Sequence, residues 1–297
     1  MRTQLLLALI PVFATSCATM EGGGVPSGPM HVVSDTVIGG FAFPESVGCD
    51  ASEKVLYVSQ FGGTELKPGE KDGKGFISKV ALDGRVIEQR VFSDTMNKPK
   101  GIWVEGGRLW VTDIDGVWIF DTKTKKGRKI QIPGAEFAND VTMRNGVVWV
   151  SDNRTDQLFR IEPADFLDAS MQPRVTTVWS KREVYPNGLW PAKDGTLLMA
   201  GFLAADKPKP VYSMGHDNQT KPVTQPIGRL DGLAQLPDGS LLATDWDTGS
   251  FFRYTVPDGV QPLAKNFKGP ADFCMMGDTA YVPDLVQGQV RIVKLAR

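Results

Sequence analysis

The stretch Val148-Trp149-Val150-Ser151-Asp152 combines an apolar run, a hydroxyl and an acidic ending, and variants of it occur six times in the chain. The other five are Leu56-Tyr57-Val58-Ser59, Leu109-Trp110-Val111-Thr112-Asp113, Leu197-Leu198-Met199-Ala200, Leu241-Leu242-Ala243-Thr244-Asp245 and Ala280-Tyr281-Val282-Pro283-Asp284. Successive copies start 53, 39, 49, 44 and 39 residues apart. This period is typical of a four-stranded propeller blade. The sequence predicts an all-β fold, a six-bladed β-propeller of four-stranded antiparallel blades.

Closure of the ring is predicted from the N-terminal segment of the repeat region. An unclosed ring would leave exposed strand edges, which folded proteins avoid. Residues 31–42 contain the pairs Val32-Val33 and Val37-Ile38, and we expect them to form an outer strand of the last blade. The Asp residues that end the repeated strands are expected to cap turns.

A second, weaker element precedes each repeated strand and marks the innermost strand of each blade. It consists of a variable residue, a small or polar residue and an apolar residue. The variable residues should surround the mouth of the central channel, and we call them the ring residues. They are Glu45, Lys100, Asn139, Asn187, Asp231 and Ala271.

The acidic ring residues predict a cation. Glu45 and Asp231 flank the small Ala271 in ring order, and Asn187 adjoins Asp231. Two close carboxylates repel each other unless a cation lies between them or one is protonated. A divalent ion bound by oxygen fits this set, calcium best, with zinc, manganese or magnesium as alternatives. Two other interpretations remain: ordinary turn chemistry, and a metal-free channel in which Lys100 neutralises Glu45.

These motifs, in this order and spacing, resemble the SMP-30/gluconolactonase/LRE-like propellers over roughly residues 30–297. The matching residues are Glu45 in the first blade, Asn139-Asp140 in the third, Pro186-Asn187-Gly188 in the fourth and Asp231-Gly232 in the fifth. The resemblance implies a metal bound by Glu45, Asn187 and Asp231, with Asn139 contacting substrate or metal-bound water. It also implies hydrolysis of a lactone or ester with Asp231 as general base.

Two departures from the family pattern concern the substrate. The sugar-lactone members have an arginine two residues before the third-blade asparagine, where this chain has Phe137. Lys100 in the ring also differs from them. We expect Lys100 and Asn139 to stabilise an oxyanion. The alternative is a non-catalytic propeller that binds a partner or a small ligand, and the same two departures favour it.

Two long connections between second and third strands are predicted to wall the pocket: Phe61–Gly75 and Gly201–Gly228, the latter with a short strand at Val211-Tyr212. Long loops in compact domains are often functional. The pocket wall is expected to include Phe61, Phe137, Phe202 and Trp246. Mobile surface excursions are the alternative interpretation of the two loops.

The N-terminus predicts export. Arg2 precedes the apolar run Leu5–Ala14, too short to span a bilayer, and Ala14-Thr15-Ser16-Cys17 resembles a lipoprotein cleavage box. We expect residues 1–17 to be a signal segment with lipid-bearing Cys17, and residues 18–30 to be a flexible tether. The protein would then be anchored at the bacterial cell envelope, facing the periplasm or cell surface, with only its lipid touching membrane. A plain secretory signal is the alternative.

Composition excludes other classes of function. The net charge of −1 and the lack of a basic stripe argue against nucleic-acid binding. Only two histidines, His31 and His216, are present, so a histidine metal cluster is excluded. Cys49 and Cys274 fall on adjacent inner strands, but an offset of about one residue favours buried free thiols over a disulfide. We expect a monomer that takes a small-molecule lactone or ester.

Overall fold

The computed structural model describes residues 29–202 and 207–297, which form 24 strands in six four-stranded sheets. Each sheet is one antiparallel blade, so the predicted six-bladed propeller is confirmed. Blades one to three comprise β2 Pro44–Asp50, β3 Val55–Gln60, β4 Phe76–Ala81, β5 Val86–Glu88, β6 Pro99–Glu105, β7 Arg108–Asp113, β8 Gly116–Asp121, β9 Gly127–Gln131, β10 Ala138–Arg144, β11 Val147–Asp152, β12 Gln157–Glu162 and β13 Arg174–Ser180. Blades four to six comprise β14 Pro186–Pro191, β15 Leu197–Gly201, β16 Val211–Met214, β17 Thr220–Pro222, β18 Leu230–Gln235, β19 Leu241–Asp245, β20 Ser250–Thr255, β21 Gly259–Ala264, β22 Cys274–Met276, β23 Thr279–Asp284, β24 Gln289–Ala296 and β1 His31–Gly39.

The ring is closed by its first strand, as predicted. β1 pairs antiparallel with β24, from His31 opposite Ala296 to Gly39 opposite Gln289. The N-terminal strand is therefore the outer edge of the blade that the C-terminal strands build. Met30 belongs to this closure too, because its side chain is buried in the core between blades five and six and its carbonyl accepts a hydrogen bond from Gln261. Met30 therefore packs onto the propeller directly before β1.

Cys49 and Cys274 form a disulfide in the structure, so the expectation of free thiols was wrong. Their Cα atoms are 5.8 Å apart, within the range that a disulfide spans. The two strands are brought into register by a parallel bridge between Ser46 and Asp272, with the Val47 amide donating to the Asp272 carbonyl. Because of this bridge, the two cysteines lie side by side despite the offset of about one residue that the sequence suggested.

The core lies between the blades. Trp149 and Leu158 of blade three pack with Leu189 and Met199 of blade four in one buried cluster. Each blade buries its two faces against its two neighbouring blades. The repeated strands therefore have apolar residues on both faces, at consecutive positions. Within the described ranges there is no helix that could cross a membrane.

The acidic strand endings are turn caps, as predicted. Asp152 accepts hydrogen bonds from the amides of Glu136 and Phe137, and from those of Arg154 and Thr155. Asp113, Asp245 and Asp284 accept backbone amides in the same way. Each carboxylate holds the loop before the inner strand, and those of Asp152, Asp245 and Asp284 also accept amides of the turn after the second strand.

The fourth blade differs from the expectation of one long loop. Val211–Met214 and Thr220–Pro222 are its third and fourth strands, so the connection after β15 covers only residues 202–210, of which 203–206 are not described. The short strand expected at Val211-Tyr212 is therefore confirmed and extends to Met214, whereas Thr220–Pro222 was not expected. The predicted signal segment, Cys17 and the tether up to residue 28 lie outside the described residues.

Candidate functional site

The ring residues lie where the inner strands begin. In blades one to five each follows the first strand residue, and strand pairing is irregular there, as between Ala138 and Val141 or between Leu230 and Leu233. Such bulges redirect side chains and often border functional sites. The ring residue of blade six, Ala271, precedes β22 and is fully buried.

Hydroxyl groups on the second strands form hydrogen bonds with the backbone carbonyls of ring residues. Thr112 donates to the carbonyl of Asn139, Ser151 to that of Asn187 at 2.7 Å, and Thr244 to that of Ala271 at 3.1 Å. Each bond runs from one blade to the ring residue of the next. Sequence reasoning missed this role, although the signal was present: Ser or Thr precedes Asp in the repeated strand.

Three buried oxygen atoms in the ring have no hydrogen-bond partner among the described residues. They are Oε2 of Glu45, Oδ1 of Asn187 and Oδ1 of Asp231, and the three side chains are at most 5% exposed. Unpaired buried polar atoms are rare in folded proteins. Their chemistry, two carboxylates and an amide oxygen, fits a hard divalent cation. The described ranges hold no group of three or more His, Cys, Asp or Glu side chains suited to a metal, so any metal here relies on Asn187.

The carboxylates of the ring are protonated more readily than usual. Burial, with the neighbouring Asp272, raises the pKa of Asp231 to about 8, which Trp246 and Asn187 oppose in part. Burial and the charge of Asp231 raise the pKa of Glu45 well above its ordinary value, while Lys100 lowers it. A bound cation would favour the ionised forms of both groups.

A second layer of carboxylates lies one residue deeper in the channel, and sequence reasoning missed it. Asp140 accepts hydrogen bonds from the amides of Val141 and Leu189 at 2.7 and 2.6 Å. Asp272 accepts one from the Ser46 hydroxyl at 2.6 Å, and burial raises its pKa to about 7. Both side chains therefore connect neighbouring blades, and both have partners that the three unpaired oxygens lack.

Lys100 is fully buried among aromatic rings. Its ammonium donates to the Lys98 carbonyl at 3.2 Å and lies 4.2 Å from the centroid of the Phe137 ring and 5.7 Å from that of Phe61. Burial lowers its pKa to about 8, although Glu45 opposes this. Among the described residues Lys100 makes no salt bridge, so the direct Lys100–Glu45 pair that a metal-free channel would use is not formed.

The aromatic residues predicted to wall the pocket lie on the face of the ring residues. Phe61 follows β3, and its amide donates to the carbonyl of Phe43 at 3.0 Å. Phe202 packs edge-on against Trp246, with ring centroids 6.2 Å apart. The indole of Trp246 donates to Asp231 Oδ2 at 2.8 Å. One wall residue is thus bonded directly to the ring.

The loop of residues 62–75 is held over this face by a buried lysine. Lys98 is 1% exposed, and its ammonium donates to both Asp72 oxygens at 2.8 Å and to the Phe61 carbonyl at 3.2 Å. This ion pair ties the loop to the start of the blade-two inner strand, beside Lys100. Sequence reasoning did not single out Lys98 or Asp72.

No protein-family model matches the chain, and no curated protein does. Solved structures do. A gluconolactonase from Xanthomonas campestris shares 13% identity over 92% of this chain and 99% of its own, with a TM-score of 0.66. A protein described as a putative gluconolactonase shares 16% identity over 90% and 94%, with a TM-score of 0.65. Virginiamycin B lyase from Staphylococcus aureus shares 14% identity over 89% and 100%, with a TM-score of 0.58. At these identities the likeness shows the fold alone: the chain is a propeller similar in architecture to these three proteins.

Proposed function

We propose that the protein is a metal-dependent hydrolase that opens a lactone or ester at the channel mouth. The observation that carries the proposal is the set of three unpaired, buried oxygens on Glu45, Asn187 and Asp231. Leaving such atoms unpaired is costly, and a divalent cation is the ligand that their chemistry suits. The similarity in fold to proteins described as gluconolactonases supports the same class of reaction.

Glu45, Asn187 and Asp231 would hold the ion. When bound, a divalent cation polarises a carbonyl and lowers the pKa of a coordinated water. Asp231 is the proposed general base, because one of its oxygens is fixed by Trp246 while the other faces no protein partner. A general base must lie within hydrogen-bond reach of its proton.

Lys100 and Asn139 are the proposed stabilisers of the oxyanion. The ammonium of Lys100 makes a single hydrogen bond within the described chain, to Lys98, so it has donors to spare. The backbone of Asn139 is held by Thr112. Donors that are fixed before the reaction stabilise developing charge without reorganisation.

Metal analysis followed by a panel of lactones and esters tests the proposal. We expect calorimetry to find one divalent-ion site in the protein produced from residue 29, and we expect ring opening or ester cleavage that stops when a chelator removes the ion. Tight metal binding with no turnover across the panel would instead favour a binding protein.

The buried cation of Lys100 favours that second candidate, a propeller that binds a ligand without reacting. Lys100→Ala separates the two functions. If Lys100 stabilises an oxyanion, the variant has a lower turnover number and unchanged or tighter metal binding. In a binding protein it changes ligand affinity and there is no turnover to lose.

A further inference from the structure

The ring of Phe137 lies close to two cationic side chains, one from blade two and one from blade three. The Lys100 ammonium lies 4.2 Å from the centroid of its ring, and the Arg154 guanidinium carbon lies 4.4 Å from the same centroid. Aromatic faces attract cations, more strongly where water is excluded. The Phe137 ring therefore contacts both Lys100, a ring residue, and Arg154, which lies in the turn between β11 and β12.

Arg154 is exposed, in the turn between β11 and β12. That turn lies on the face of the ring residues, since Asp152 at the end of β11 pairs with Ala138 at the start of β10. The guanidinium also adjoins the loop of residues 62–75: a Cβ atom built on Gly69 would lie 3.4 Å from it. Arg154 therefore stands at the channel mouth, between the loop and blade three.

The guanidinium of Arg154 has unused donors. Within the described residues it forms no salt bridge and no side-chain hydrogen bond, and it lies over the Phe137 ring. A guanidinium presents five N–H groups in a planar fork that matches carboxylate and phosphate geometry. Stacking on Phe137 orients this fork and lowers the entropy lost when an anion binds.

Aromatic side chains also border the mouth, and the Arg229 guanidinium beside Phe202 is paired with Asp247. Phe202 and Trp246 pack against each other, with the indole N–H already used by Asp231. A ligand with an apolar body and one anionic group would match both the rings and the guanidinium.

We propose that Arg154, stacked on Phe137, is an anion-binding subsite, and that the substrate is an ester or lactone with an apolar body and a carboxylate or phosphate close to the reacting carbonyl. The inference rests on the proposed hydrolysis for its substrate class. The anion is close to the carbonyl because Lys100, beside the reacting group, and Arg154 contact the same ring. Arg154 is a specificity residue and does not act on the reacting atoms.

A binding experiment tests the subsite without depending on turnover. Calorimetry compares phenylacetate with phenylacetamide, which has the same shape and no charge, in the calcium-loaded protein. We expect phenylacetate to bind more tightly, and Arg154→Gln to weaken it by roughly tenfold while changing phenylacetamide little, because a hydrogen bond to a charged group is lost. Arg174→Gln is the matched control: Arg174 starts β13 at the opposite face, 71% exposed, and its loss of charge should have no effect.

Turnover gives a second measurement. The ratio of kcat/KM for para-nitrophenyl hemisuccinate to that for para-nitrophenyl butyrate should fall about tenfold in Arg154→Gln and stay at the wild-type value in Arg174→Gln. Equal binding of phenylacetate and phenylacetamide by the wild type would overturn the subsite, as would an equal loss on both esters, which would make Arg154 only a support for the loop. Preference for phenylacetate without turnover of any ester would retain the subsite and refute the hydrolase.

Discussion

The indole N–H of Trp246 donates to Oδ2 of Asp231 at 2.8 Å, while Oδ1 of the same carboxylate has no partner within the described chain. Trp246 follows β19, and Asp231 is in β18 of the same blade. The hydrogen bond fixes the rotation of the carboxylate and leaves one oxygen for a metal or a proton. Oδ2 of Asp231 therefore orients the carboxylate, and Oδ1 is left to bind a metal or accept a proton.

Trp246→Phe should lower kcat while KM changes little, because the phenyl ring keeps the contact with Phe202 but no longer orients Asp231. Loss of a hydrogen bond to a charged acceptor corresponds to roughly tenfold in rate. Steady-state kinetics on the best substrate of the panel measures the change. Wild-type kcat in this variant would show that the indole only fills space.

Asp231→Asn should abolish turnover while some metal binding remains, since the amide oxygen still coordinates but cannot accept a proton. Metal affinity by calorimetry and turnover by product formation are measured on one preparation. Asp258→Asn, in the turn between β20 and β21, is the control and should behave as wild type. Full activity in Asp231→Asn would refute its assignment as the base.

Glu45→Gln and Asn187→Ala should weaken metal binding and turnover together, because each removes or replaces one of the unpaired oxygens. The two losses should scale with each other when metal concentration is raised, with activity partly recovering at high metal. Titration of activity against metal concentration makes the comparison. Loss of activity with unchanged metal affinity would contradict their assignment as ligands.

The metal-free protein should lose stability as pH rises. Burial raises the pKa of Asp231 to about 8 and that of Asp272 to about 7, against about 4 for an unfolded aspartate. Between these values the native state holds more protons than the unfolded state, so the free energy of unfolding falls with increasing pH. Thermal unfolding with a chelator should give a lower Tm at about pH 7.5 than at about pH 5.

Calcium should cancel much of this loss, since it stabilises the ionised carboxylates, and the gain in Tm should be larger at the higher pH. Asp231→Asn should reduce the pH dependence of the chelated protein. A gain in Tm from calcium that is the same at both pH values would show that calcium does not bind these carboxylates.

The disulfide between blades one and six should stabilise the closed ring. Replacing both Cys49 and Cys274 with serine should lower the free energy of unfolding by about 2–5 kcal/mol, and a reductant should lower wild-type stability similarly. Denaturant unfolding with and without reductant measures both. Turnover should survive, as the disulfide borders the opposite end of the channel from the ring residues. Two free thiols in the oxidised, native protein would contradict the bond.

Sequence alone determined the architecture and the ring. The period of the repeated strand gave the blade count, and residues 31–42 closed the ring, because strand alternation and turn residues are local properties. The variable position at the start of each inner strand also singled out Glu45, Asn187 and Asp231, and each of these side chains has a buried oxygen with no partner among the described residues. The repeated acidic endings, such as Asp152, were interpretable as caps for the same local reason.

Only the tertiary structure decided which side chains contact one another across blades and loops. The disulfide of Cys49 and Cys274 depends on the register between two strands 225 residues apart in sequence, and no local pattern sets that register. The contact of Phe137 with Lys100 depends equally on how two blades pack, and the bond from Trp246 to Asp231 depends on how the turn after β19 folds back within blade five. Periodicity fixes each strand, whereas packing across the ring fixes side-chain neighbours, and the chemistry of the site depends on those neighbours.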